Sequence, residues 1–301
     1  MIRRLFILFK KRVLMELLIR FKILNKKSFK IKDKKISFHD LSKSTLLKQI
    51  TVDGYRSFEG EVVTLIENYP WHIDKFIDAG AYIGFYSIIA SIYMPKGVEV
   101  IAVEPFPDNI EYIKRLKRVN NIEFKLIEKA LDIDKNSKAI IYYPVSSRSS
   151  KLPNSSSLIN SFKGTDGIFS HIPYKTKTVQ TTTLPLVAGD DSSDILIKLD
   201  CEENELNILK GSMPLLKRGN ADFIMELMIN SKNKREIFDL MKDYGYDAYL
   251  ITNAGLVEEE RPLTLPKPGI KDRTLWKNHF FTKRPKESVR ETSLALYGYS
   301  I

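Results

Sequence analysis

The chain has one cysteine, Cys201, in 301 residues. No disulfide can close within it, and such a chain suits a reducing compartment. Its four histidines, His39, His72, His171 and His279, are scattered and form no pair at ligand spacing, which argues against zinc. No charge-free apolar run approaches the roughly 20 residues that span a bilayer. Internal repeats and heptad runs are absent. The body also lacks any basic excess. Of 48 Lys/Arg and 37 acids, residues 1–35 hold 13 and two (Glu16 and Asp33), leaving 35 of each sign in the rest. The net charge of +11 is therefore an N-terminal property. A nucleic-acid enzyme would carry its basic face on the folded body.

The N-terminal stretch MIRRLFILFKKRVLMELLIRFKILNKK mixes short apolar runs with basic residues. Lys10–Arg12 interrupt the apolar region and no small-residue cleavage site follows, which argues against a signal peptide. At helical period its charges spread round the helix rather than along one face. Two readings stay open. Residues 1–35 form a helix that attaches to an anionic membrane surface or a partner, or one docked on the protein's own core with solvated charges.

The densest information lies between Lys75 and Pro105, KFIDAGAYIGFYSIIASIYMPKGVEVIAVEP. This reads as strand, glycine turn, an apolar helix over Phe85 to Tyr93, a β-branched strand over Val98 to Val103, then an acid. Such strands are buried in parallel sheets, and open α/β sheets bind ligands outside their carboxyl ends. Glu104 stands at such an end, where a carboxylate can accept both hydroxyls of a ribose. The dinucleotide fingerprint G-x-G-x-x-G fits poorly. Its first glycine is Asp78, its third is Ile83, and Gly84 falls one residue late. A carboxylate at position 78 sits badly under a pyrophosphate. The sulfonium and amino group of S-adenosylmethionine favour it. A plain βαβ turn with glycines for packing is the simpler alternative.

Further along, LLKQITV (46–52) is strand-like and Glu59 to Tyr69 looks helical. Asp108 or Asn109 can cap a helix with Ile110, Ile113, Leu116 and Val119 as its stripe. Ile122 to Ile127 and Lys138 to Tyr143 read as strands. Residues 144–174, rich in serine, glycine and proline, form a long loop of the kind that closes over a substrate. Asp194 to Asp200 is a second parallel strand ending in acid, followed by CEENEL, a helix start rich in carboxylates. Acids favour helix starts in any case. Asp222 to Leu227, Tyr246 to Ile251 and His279 to Lys283 complete the strands. Cys201, just after a buried strand, reads as a packed thiol.

In order along the chain, DAGAYIG, VEP (103–105), KAL (129–131), the Ser155–Leu158 loop, IKLDCEENELNILKG (197–211) and IMEL (224–227) resemble the FkbM-type S-adenosylmethionine-dependent methyltransferases. The resemblance covers roughly residues 55–284. It implies a Rossmann-like α/β fold, the seven-stranded class I methyltransferase sheet with helices on both faces. It also implies O-methyl transfer to natural products, sugars or surface glycans. By position, Asp78, Gly80 and Gly84 would line the methionine end of the cofactor. Glu104 would hold the ribose, and Ala130–Leu131 would lie near adenine. Asp200 and Glu202 match the family's D-x-E-G-x-E motif in the reaction cleft. The chain departs from the pattern at Glu203 (glycine in the motif), Tyr82 (commonly asparagine) and Pro185 (an acid).

The expected organisation is a basic N-terminal helix (1–35), a methyltransferase domain (36–285) and a C-terminal tail (286–301). The expected function is a cytoplasmic O-methyltransferase acting on a sugar, glycan or glycolipid hydroxyl, with peripheral membrane attachment through residues 1–35. Methyl transfer to a hydroxyl needs a placed base. The candidates are Asp200, then Glu202, then His171 in the serine-rich loop. Asp200, Glu202 and Glu226 also offer oxygen ligands to Mg²⁺ or Ca²⁺, an alternative that is not favoured, and no metal ligands are assigned. Two other functions remain. One is an RNA methyltransferase with a basic N-terminal arm, which the neutral body disfavours. The other is a non-catalytic cofactor- or partner-binding module.

Overall fold

The computed structural model describes residues 28–38, 44–135, 137–144, 158, 174–189, 192–228, 231–262 and 277–297. The loop histidine His171 and residues 1–27 lie outside them.

The described residues open with a hairpin, β1 (Ser28–Ile31) and β2 (Lys34–Ser37). Helices α1 (Thr45–Asp53) and α2 (Gly60–Glu67) follow. The first βαβ unit is β3 (Lys75–Ala79), α3 (Phe85–Tyr93) and β4 (Glu99–Val103). Then come α4 (Pro107–Asn120), β5 (Lys125–Ile127), β6 (Ala130–Leu131), β7 (Lys138–Pro144) and β8 (Tyr174–Thr182). The second half holds α5 (Leu184–Ala188), β9 (Ile195–Leu199), α6 (Glu205–Lys210), α7 (Met213–Arg218) and β10 (Ala221–Glu226). It closes with α8 (Lys234–Asp243), β11 (Asp247–Thr252), β12 (Gly255–Glu258), β13 (Asn278–Thr282) and α9 (Lys286–Tyr297).

The central sheet runs β12-β11-β13-β10-β9-β3-β4-β5. Five neighbouring strands, β10, β9, β3, β4 and β5, are parallel, and β13 enters antiparallel to β10. The sheet has eight strands rather than the seven expected, because β12 folds back antiparallel on β11 as an edge hairpin. Alternation sorts the side chains between two cores. Phe76, Ala102, Leu196 and Ile224 join α1 to α4 on one face. Ile77, Val103, Ile197 and Phe223 join α5 to α8 on the other. A smaller sheet, β6-β8-β7, stands beside them.

Three expectations need correction. The strand-like LLKQITV is helix α1: Ser44 Oγ accepts from Leu47 N, and Leu46, Leu47, Ile50 and Thr51 bury one helical face. Its β-branched residues gave the strand signal, which tertiary burial overrides. Neither Asp108 nor Asn109 caps α4, which starts at Pro107 with no side-chain cap. Pro107 already fixes the first helical φ and removes one orphan donor. Val119 is half exposed. The described part of the N-terminal segment is a hairpin, not a helix. Phe29, Ile31, Ile36 and Phe38 point inward and are buried, while the lysines between them face solvent.

Asn120 fastens this hairpin to α4. Its Oδ1 accepts from Ser37 N at 2.6 Å, and its Nδ2 donates to Ser37 O at 3.0 Å and Leu116 O at 2.9 Å. Asn120→Ala leaves the Ser37 groups without these partners and is expected to lower stability by about 1–3 kcal/mol. A denaturant titration checks this, and a loss below about 0.5 kcal/mol would contradict it.

Candidate functional site

Strand register assembles the site. Val103, Ala79, Leu199 and Met225 lie side by side across β4, β3, β9 and β10. The next position on each strand is Glu104, Gly80, Asp200 and Glu226, a row along the carboxyl edge of the sheet. Two positions back on β3 and β9, Asp78 pairs with Lys198, so period-2 alternation turns both to the same face as the row.

The row borders a cavity of about 290 Å³. Asp78, Gly80, Glu104, Ala130, Leu131, Asp200 and Glu202 all line it, so the structure brings together seven of the residues singled out from sequence. Gly84 is elsewhere. With φ 76 it caps α3, and a Cβ there would meet Ile113 and Phe124 at 3.5 Å. Its task is the turn into the helix. Gly80, with φ 82, leaves no room for a side chain: a Cβ would stand 1.9 Å from Asp200 O.

Glu104 is 3% exposed. Its Oε2 accepts from Tyr82 N at 2.8 Å, and its Oε1 from Phe106 N at 2.9 Å and Asn109 Nδ2 at 3.1 Å. A carboxylate has about four acceptor sites, so one remains, on Oε2. Glu104 thus keeps acceptor capacity toward a ribose hydroxyl. Burial pushes its carboxyl up to about 7, against these three donors. Asp78 Oδ2 accepts from Ser87 N at 2.9 Å and Ser87 Oγ at 2.6 Å, tying β3 to α3, and burial raises this acid to about 6.

At the other end of the row lies a charge network that sequence reasoning missed. Lys198, fully buried in β9, reaches Asp200 Oδ2 at 3.2 Å. Lys277 stands between Glu59 and Glu226, 2.8 Å from Glu226 Oε1. The Tyr86 hydroxyl donates to Glu59. Burial opposes the charge on Asp200, but Lys198 and then Lys277 hold its carboxyl below the usual range. Glu226 goes the other way, to about 8, through burial and then Asp200 and Glu59. Partial burial, then Asp200, Glu226 and Glu205, raise the Glu202 carboxyl, a rise that the residue's exposure to solvent limits. Among the described residues, no three His, Cys, Asp or Glu side chains are grouped to hold a metal ion. Asp200 and Glu226 face lysines instead.

The β9–α6 turn carries two successive left-handed residues, Glu202 (φ 52) and Glu203 (φ 75). Glu203 takes the conformation that glycine adopts readily, and its side chain leaves the cleft to accept from Ser231 Oγ at 2.7 Å. Cys201 N donates to Glu205 Oε1 at 2.7 Å, and Asn204 Nδ2 to Leu131 O at 3.0 Å. The Cys201 thiol is pushed up by burial and then by Glu205, which makes it a packing group rather than a nucleophile. Pro185 occupies the first turn of α5.

A methyltransferase FkbM domain model matches residues 78–248, more than half of the chain. The protein belongs to the FkbM methyltransferase family. Among solved structures it is similar to the methyltransferase FkbM from Methylobacillus flagellatus KT, at 14% identity and TM-score 0.43, covering 81% of this chain and 55% of that one. It thus spans about half the length of that relative. A precorrin-6y C5,15-methyltransferase from Geobacter metallireducens GS-15 is similar at 15% identity and TM-score 0.37, covering 63% and 72% of the two chains. A ribosomal protein L11 methylase from Lactobacillus delbrueckii subsp. bulgaricus follows at 11% identity and TM-score 0.38, covering 75% and 77%. No curated protein sequence matches.

Asp78, Glu104 and Glu205, held at about 6, 7 and 8, keep protons when folded that the unfolded chain has already released. The folded state binds more protons between the unfolded and folded pKa values. Stability therefore falls as pH rises through that window, by up to about 1.4 kcal/mol per pH unit for each group. Glu104→Gln removes one such contribution. Denaturant titrations at about pH 5, 6 and 7 are expected to show a shallower decline than in the unaltered protein; an equal slope would contradict the assignment.

Proposed function

We propose that the protein methylates a hydroxyl of a neutral acceptor, a sugar, glycan or glycolipid. The observation that carries this reading is the lining of the cleft. Asp200, Glu202 and Glu226 line it with Lys198, Lys277 and Lys129, and the first two lysines are already engaged by Asp200, Glu226 and the neighbouring Glu59. Such a floor offers carboxyl groups to hydroxyls. An RNA acceptor is disfavoured because its backbone seeks basic contacts, and residues 36–301 carry no basic excess.

The residues fit the cofactor. Glu104 would take a ribose hydroxyl through its remaining Oε2 site. Gly80 and Ala81, beside Asp78, would face the methionine end, and Ala130 and Leu131, 3% and 4% exposed, offer an apolar seat for adenine. When bound, S-adenosylmethionine supplies an electrophilic methyl group. The chain's part is to hold the acceptor in line and take its proton. Asp200, paired with Lys198, stays ionised and suits orientation of the hydroxyl. Glu202, solvent-open and with its carboxyl raised, has the greater proton affinity of the two and is the candidate base. His171 is a third candidate base. No described helix is long and apolar enough to cross a membrane. The basic N-terminal segment is proposed to bring the enzyme to an anionic membrane surface, where glycolipid acceptors lie.

The test is transfer of labelled methyl from S-adenosylmethionine to a panel of neutral glycosides, glycolipids and RNA. Label is expected in alkali-stable ether linkage on a neutral acceptor, with Glu202→Gln slowing transfer about 10²–10⁴-fold, the range for a lost general base. Label confined to RNA would overturn the reading.

A further inference from the structure

The carboxyl edge of the sheet holds an acid pair that the proposed transfer does not use as a pair. Asp200 and Glu226 occupy adjacent places in the row, one step beyond the paired Leu199 and Met225. A side-chain hydrogen bond joins them. Lys198 Nζ, 3.2 Å from Asp200 Oδ2, favours ionisation of that carboxyl. Lys277 Nζ lies 2.8 Å from Glu226 Oε1, but burial and the neighbouring acids raise Glu226, so a proton held between the two acids falls to Glu226.

The surroundings fix the cations and leave this proton as the variable charge. Acids hold both Lys198 and Lys277 well above the ordinary lysine range despite burial. Around Glu226 stand Glu59 from the start of α2, Tyr86 from α3, Lys198 and Asp200 from β9, and Lys277 at the edge of β13. Glu202 adds a further carboxyl from the β9–α6 turn. Tyr86 is engaged by Glu59, and Lys277 by both Glu59 and Glu226. Glu226 and Asp200 both line the cavity next to Gly80.

We propose that the Asp200–Glu226 pair is a charge sensor that distinguishes the cationic cofactor from its neutral product. Entry of a sulfonium beside the pair drives its shared proton into solvent, leaving two carboxylates against the added positive charge. S-adenosylhomocysteine carries no charge at sulfur, so the pair stays protonated when it binds. After transfer the proton returns, and the site loses its electrostatic hold on the spent cofactor. This inference rests on the methyltransferase reading of the cleft. At neutral pH the pair holds a proton to lose, because burial and the neighbouring acids keep Glu226 at about 8.

Calorimetry on the full chain tests it. S-adenosylmethionine and S-adenosylhomocysteine are each titrated near neutral pH in two buffers of different ionisation heat, which counts protons released on binding. S-adenosylmethionine is expected to release more protons than S-adenosylhomocysteine. Its affinity relative to the product is expected to rise with pH below about 8, by at most about tenfold per unit. Glu226→Gln and Asp200→Asn are expected to abolish the excess release. The cofactor's own amine titrates alike in every variant and so cancels in that comparison. S-adenosylhomocysteine binding by the variants reports that they are folded. Equal proton counts for the two ligands in the unaltered protein would overturn the sensor while leaving the methyltransferase reading intact. An excess that survives in Glu226→Gln would also overturn it. Binding of neither ligand would overturn both.

Discussion

The register of four parallel strands is the constraint on which the site depends. Because Val103, Ala79, Leu199 and Met225 pair in one line, Glu104, Gly80, Asp200 and Glu226 fall in the next. A slip of one residue in any strand would send its whole alternating set to the opposite face. Two buried cores forbid that slip. Phe76 and Leu196 belong to one, and Ile77 and Ile197 to the other. The packing that stabilises the sheet thus also aims the functional side chains. The left-handed turn after β3 and the one after β9 then bend the chain away at the two places where a ligand needs room.

The row is asymmetric in charge chemistry. At one end Glu104 is buried among backbone amides and carries a single remaining acceptor site. At the other, acids and lysines are interleaved, so that burial raises Glu226 while Lys198 lowers Asp200. Burying a charge without partners is costly, and each lysine here has at least one carboxylate within reach. Carboxyls in one cleft held in different protonation states are what orientation and proton acceptance require of different residues.

Much of this was legible in the sequence. Helix α3 was read with its observed limits, because a glycine turn, an apolar run and a β-branched strand follow one another without ambiguity. DILIKLD and DFIMEL gave β9 and β10 for the same reason. The D-x-G turn and Glu104 placed the cavity. The charge network was not legible, since Glu59, Lys198, Glu226 and Lys277 come from four distant segments that only the folded sheet brings together. One hint was present: Lys198 interrupts an otherwise apolar strand, and a lysine in such a place needs an acid partner. Gly84 was misplaced because a turn glycine and a ligand-contact glycine look alike one residue apart. Helix α1 was misread because Ile50, Thr51 and Val52 favour strands locally, while its buried face at Leu46, Leu47, Ile50 and Thr51 has helical spacing.

The central claim is that the carboxyl-edge row is the cofactor seat. The most direct measurement is a crystal structure of the protein with S-adenosylhomocysteine. The account predicts one ribose hydroxyl bonded to Glu104 Oε2, adenine against Ala130 and Leu131, and the sulfur at the Gly80–Asp200 end of the row. Cofactor bound with its ribose away from Glu104, or outside this cavity, would contradict it.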